Sequence, residues 1–188
     1  MSNQPVDQSR RTWVTMACAA GGVGGVATAI PFVSTFQPSE RAKAAGAAVE
    51  ADISALKPGE MMTVEWRGKP VWILKRTPEQ VAALKSIDPQ LADPDSERKP
   101  AELTPEYCRN TQRSIKDDVL VAVGICTHLG CSPSSKFQSG PQASLPDDWP
   151  GGFLCPCHGS TFDLAGRVFK NKPAPDNTAT SRPNTAST

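Results

Sequence analysis

Histidine and tyrosine are nearly missing from this chain, which has two His and one Tyr in 188 residues, and aromatics of all kinds make up 6%. So thin an aromatic supply, set beside 18 prolines, suits a loop-rich, mainly β domain better than a helical bundle. An excess of charge of either sign is also lacking. Twenty Lys and Arg stand against 19 Asp and Glu, for a net charge of +1, so the basic stripe of a nucleic-acid binder is absent and no nucleic-acid partner is expected. Long apolar runs are absent too, apart from one near the N-terminus. Against this background the placement of the two histidines stands out. Both fall inside two short segments, Cys126-Thr127-His128-Leu129-Gly130-Cys131 and Cys155-Pro156-Cys157-His158-Gly159-Ser160, which also hold four of the six cysteines.

Thiolate and imidazole are the side chains that hold soft and borderline metals, and each segment offers a Cys and a His two or three residues apart on a tight Gly-containing loop. Two such loops can build a tetrahedral zinc centre. They can equally build a 2Fe–2S cluster with two Cys on one iron and two His on the other. Each loop carries one cysteine more than four ligands require, a surplus that a structural zinc site leaves unexplained.

The segments CTHLGC and CPCHGS resemble the two cluster-binding loops of the Rieske iron–sulfur subunits of bacterial ubiquinol–cytochrome c oxidoreductase (cytochrome bc) complexes. The resemblance implies Cys126 and Cys155 on one iron, His128 and His158 on the other, and a Cys131–Cys157 disulfide. It also implies that Ser160 hydrogen-bonds a cluster sulfur, that Leu129 helps to shield the cluster, and that His158 receives the hydrogen bond of ubiquinol. Phe162 stands where many quinol-oxidising members carry a Tyr whose hydroxyl bonds a ligand cysteine. Two neutral imidazoles in place of two thiolates lift such clusters into the range of roughly −150 to +300 mV. The implied partners are cytochrome b, a membrane-anchored c-type cytochrome, ubiquinol and the membrane. The implied activity is that of the electron-transfer subunit of a quinol–cytochrome c reductase coupled to proton translocation. A soluble Rieske ferredoxin and the Rieske subunit of an arsenite-oxidase-type enzyme are the alternatives. The first is disfavoured by the extra cysteine pair and the N-terminal apolar segment, the second by the CPCHGS loop and the linker.

Along the chain, residues 1–11 read as a cytoplasmic leader ending in the pair Arg10-Arg11, a twin-arginine signal for export in the folded state, which a preassembled cluster requires. No charged residue occurs from Thr12 to Ser39, and residues 12–37 are expected to form one transmembrane anchor. Such an anchor places the chain in the bacterial inner membrane with its cluster domain on the periplasmic side. Four glycines between Ala20 and Gly25 would let neighbouring helices approach closely. Residues 38–49, small and Ala-rich, read as a linker that the resemblance makes a hinge.

Residues 50–177 are expected to hold the antiparallel β domain of Rieske type, with a small cluster-binding subdomain at about 124–175. Asp52-Ile53, Met61–Trp66, Pro70–Leu74, Val119–Val123, Phe153-Leu154, Thr161–Asp163 and Arg167–Phe169 read as strands, with a hairpin turn at Arg67-Gly68-Lys69. Thr77-Pro78-Glu79-Gln80 carries the capping-box signature of a helix ending near Ser86. Asp88 to Thr104 is expected to be a surface excursion, and Lys172–Pro175 resembles the proline-rich loop that covers the cluster in this family. The polar residues 178–188 read as a disordered tail, and Cys18 and Cys108 as unpaired.

Overall fold

The computed structural model describes residues 7–45, 47–98 and 103–180. The chain divides into two compact units, Met1–Gly46 and Ala47–Thr188.

The first unit is helical. α1 runs from Gln8 to Ser34 with no buried residue, and it is long and apolar enough to cross a membrane. It begins ahead of the expected anchor because the Asp7 carboxylate accepts from the Ser9 and Arg10 amides, which draws the arginine pair into the first helical turns. The hydroxyls of Thr12, Thr15 and Thr28 bond carbonyls of their own helix, so these polar groups need no outside partner. α2, Glu40–Ala45, lies within the expected linker and stops before Gly46.

The second unit is built on two three-stranded antiparallel sheets. In the first, β1 (Met61–Trp66), β2 (Lys69–Lys75) and β3 (Val119–Val123) pair in that order. Arg67 and Gly68 both take positive φ, +52° and +71°, so Trp66 pairs directly with Lys69 across a two-residue turn whose twist suits a hairpin. The second sheet orders β4 (Ser134–Lys136), β5 (Gly152–Leu154) and β6 (Thr161–Asp163). The sheets meet where Trp72 of β2 stacks on Phe153 of β5, ring centroids 4.3 Å apart and planes at 5°, with Phe137 edge-on to Phe153. Gly124 is required at this contact because a Cβ there would overlap the Trp72 indole. α3, Pro78–Ala83, starts on the expected Thr77 capping box and continues as a 3₁₀ turn over Leu84–Gln90, whose Leu84 and Ile87 are buried.

Four expectations are corrected. Arg167–Phe169 is not a strand but makes two isolated bridges, Val168 to Phe162 and Phe169 to Leu91. Asp52-Ile53 is not a strand: the Asp52 carboxylate accepts from the Ser54 amide, and this local turn takes a backbone donor that a ladder would need. The segment from Asp88 is no surface excursion, since Leu91, Asp93, Ser96 and Thr104 are buried and Ala92 donates to the Val168 carbonyl; residues 99–102 lie outside the described residues. The tail does not begin at 178. Thr178 and Thr180 are buried, the Val123 amide donates to Ala179, and Thr180 bridges Ala122, so this stretch extends the first sheet beyond β3. Hydroxyl side chains suit it because their hydroxyls bond backbone carbonyls there, Thr178 to Gly166 and Thr180 to Leu103. Residues 181–188 of the expected tail lie outside the described residues.

Three arginines, Arg76, Arg113 and Arg167, are buried around the turn from Leu164 to Gly166. Arg167 pairs with Asp163 at 2.7 Å and with Asp88 at 2.6 Å. Arg76 and Arg113 lean instead on carbonyls, Arg76 on Gln112 and Leu164 and Arg113 on Ala165, Gly166 and Thr178. Desolvation pushes both guanidinium pKa values down to about 10, with Asp163 pulling the other way.

Candidate metal centre

The two Cys/His segments are the connections that leave β3 and β5. The first runs from β3 to β4 and so links the two sheets; the second joins β5 to β6. They close by the same pair of hydrogen bonds. In the first loop the Cys126 amide donates to the Cys131 carbonyl and the Gly130 amide to the Cys126 carbonyl, at 2.8 and 3.0 Å. In the second, Cys155 donates to Ser160 and Gly159 to Cys155, again at 2.8 and 3.0 Å. Each turn needs the left-handed backbone that glycine supplies, with φ of +82° at Gly130 and +72° at Gly159.

This repeated closure brings the singled-out residues together. Cys126 and Cys155 are each 2% exposed and not in a disulfide, and they sit in the apolar cluster with Trp72, Phe153 and Phe162. His128 and His158 meet edge to face, one half-buried and the other exposed. Cys131 and Cys157 form the expected disulfide between the loops, with Cα atoms 6.8 Å apart. Leu129 is 70% exposed at the tip.

Burial is the main influence on Cys126 and raises its thiol pKa; Cys155 acts in the same direction, while the His128 amide and the Ser160 hydroxyl oppose it. A buried pair of sulfurs with hydrogen-bond donors aimed at one of them, flanked by two imidazoles, fits a cluster whose sulfur-rich side lies inside and whose imidazole side faces out. Ser160, itself fully buried, is held in place by the Ala174 amide, which donates to its Oγ at 3.0 Å. The Thr127 hydroxyl donates to the Asp176 carbonyl at 2.6 Å. The proline-rich loop is thereby fastened to both Cys/His loops. Sequence reasoning did not single out Thr127, Ala174 or Gly124. Their positions within or beside the motifs are the signal, but which partner each meets depends on the fold.

A Rieske [2Fe-2S] domain model matches residues 104–182. The ubiquinol-cytochrome c reductase iron-sulfur subunit of Allochromatium vinosum is 56% identical over 94% of this chain and 84% of its own length. The subunits of the same name from Blastochloris viridis and Rhodospirillum rubrum are 39% and 37% identical, over 94% and 91% of this chain and 87% and 84% of theirs. Fold and loops define a Rieske-type iron–sulfur protein. The chain belongs to the ubiquinol–cytochrome c reductase iron–sulfur subunits, and its cofactor is one Rieske 2Fe–2S cluster.

Proposed function

We propose that this chain is the electron-transfer subunit of a respiratory complex that oxidises ubiquinol and passes the electron to a membrane-anchored c-type cytochrome, coupled to proton translocation. The observation that carries the reading is the pair of loops closed by the same hydrogen bonds and joined by Cys131–Cys157, in a chain 56% identical to a named reductase subunit. Cys126 and Cys155 hold one iron and His128 and His158 the other. When bound, the cluster supplies a one-electron carrier.

The chain's own residues do the rest. His158, exposed, receives the quinol hydroxyl and holds its proton on the imidazole. Leu129 places an apolar surface against the quinol-side partner, cytochrome b. Ser160, positioned by Ala174, donates toward sulfur and favours the more negative state. α1 anchors the chain in the bacterial inner membrane, and the twin arginines Arg10-Arg11 direct the folded domain to the periplasmic side. Residues 38–49 act as the hinge between the two docking positions.

Leu129→Glu tests the docking face. Membranes carrying the assembled complex with this variant should keep the cluster signal but reduce cytochrome c with ubiquinol at least tenfold more slowly. An unchanged rate would remove the tip from the quinol site.

A further inference from the structure

The sulfurs of Cys131, Cys155 and Cys157 all lie within 4.8 Å of one another. Two of them share the disulfide, and the third belongs to a cysteine read above as a cluster ligand. A thiolate this near a disulfide is placed for exchange by direct attack on sulfur, a reaction that needs no oxidant. While an iron holds Cys155, its sulfur is occupied. In a chain that has lost its cluster it is free.

We propose that the cluster-free chain carries a built-in thiol–disulfide switch, in which Cys155 displaces Cys157 from Cys131. The Cys155 thiolate attacks Cys131 Sγ, the Cys131–Cys155 bond forms as the Cys131–Cys157 bond breaks, and Cys157 departs as a thiolate that takes up the proton Cys155 released. One disulfide and one thiol stand on each side, so electrons balance.

Two features select the direction. Cys131 packs against the apolar cluster that contains Cys155, whereas Cys157 is exposed, so the departing sulfur enters water. Attack on Cys157 instead would close a ring over Pro156 alone, a short and stiff loop with a fixed φ. The product still ties the two loops together but has consumed a cluster ligand, so a chain that loses its cluster cannot take another until a reductant opens the new bond. The proposal rests on the reading of Cys155 as a ligand, and its test separates the two.

The test uses the full chain in detergent, loaded with its cluster, under argon. N-ethylmaleimide is added before and at intervals after iron is removed by a chelator, and the alkylated and cross-linked cysteines are mapped by tandem mass spectrometry. Before removal, Cys126, Cys155 and Cys157 should all be unlabelled; label on Cys155 at this stage would overturn the ligand reading and the gate built on it. After removal, label should accumulate on Cys157 while the Cys131–Cys157 link is lost and a Cys131–Cys155 link replaces it. In Cys155→Ser, prepared without cluster, Cys131–Cys157 should persist. A wild-type chain that keeps Cys131–Cys157 and labels Cys155 instead would overturn the proposal. So would links from Cys126 or Cys108, which would mark general scrambling or a different nucleophile.

Discussion

His128 and His158 meet edge to face, their ring centroids 4.8 Å apart and their planes at 88°. Two imidazoles from loops 30 residues apart have no reason to converge at a partly exposed tip for packing alone, since His128 is only half-buried and His158 is exposed. The proposed ligand set, with both imidazoles on one iron, accounts for it. Substituting alanine for either histidine, or serine for Cys126 or Cys155, should abolish the 2Fe–2S electron paramagnetic resonance signal, whereas Cys131→Ser should weaken the site without erasing it. A normal signal in any of the first four would break the ligand set.

Phe162 is fully buried in the same apolar cluster as Cys126 and Cys155. A hydroxyl added there would gain a sulfur acceptor and favour the reduced state. A hydrogen bond worth about 1 kcal/mol corresponds to roughly 40 mV for a one-electron couple. Protein-film voltammetry of Phe162→Tyr should show a rise of that order; an unchanged potential would mean that the hydroxyl does not reach sulfur.

Asp163 and Arg167 form an ion pair with both side chains fully buried. Asp163→Asn would leave a buried guanidinium with only part of its compensation, and also weaken the turn that Asp163 holds through the Ala165 and Arg167 amides. Loss of one partner of such a pair costs about 3–5 kcal/mol, so calorimetry should find Tm lower by roughly 10 °C. By contrast, Glu40→Gln, which breaks the exposed pair with Lys43, should leave Tm unchanged.

Ending the chain at Asn177 should destabilise the domain. It removes the carbonyl of Thr178 from Arg113 and that of Ala179 from Val123. Each buried donor left unpaired costs about 1–3 kcal/mol, and urea titration should show a clear fall in midpoint. A midpoint equal to that of the full chain would mean that residues 178–180 contribute nothing.

The loops were legible because each ligand pair is local. A Cys and a His within four positions, with a Gly to turn the chain, need no distant contact to be recognised, and the strands Met61–Trp66 and Val119–Val123 declare themselves by β-branched and apolar side chains. What stayed hidden depends on partners far along the chain. Thr178 and Thr180 are polar, and their burial follows from backbone bonds along 178–180 to Gly166, Val123 and Leu103. Arg113 sits in a polar stretch that reads as surface until the carbonyls of Ala165 and Gly166 meet it, 52 and 53 residues away. Asp93 lies in the stretch expected to be a surface excursion, yet its carboxylate accepts from the Glu97 and Arg98 amides while its carbonyl receives Asn177.

The most direct test of the account is low-temperature electron paramagnetic resonance on membranes containing this chain, reduced first with ascorbate and then with dithionite. The account predicts a rhombic signal of low average g already full with ascorbate, as a high-potential cluster with two histidine ligands requires. A signal that appears only with dithionite would contradict quinol oxidation, and bound zinc with no signal would contradict the cluster itself.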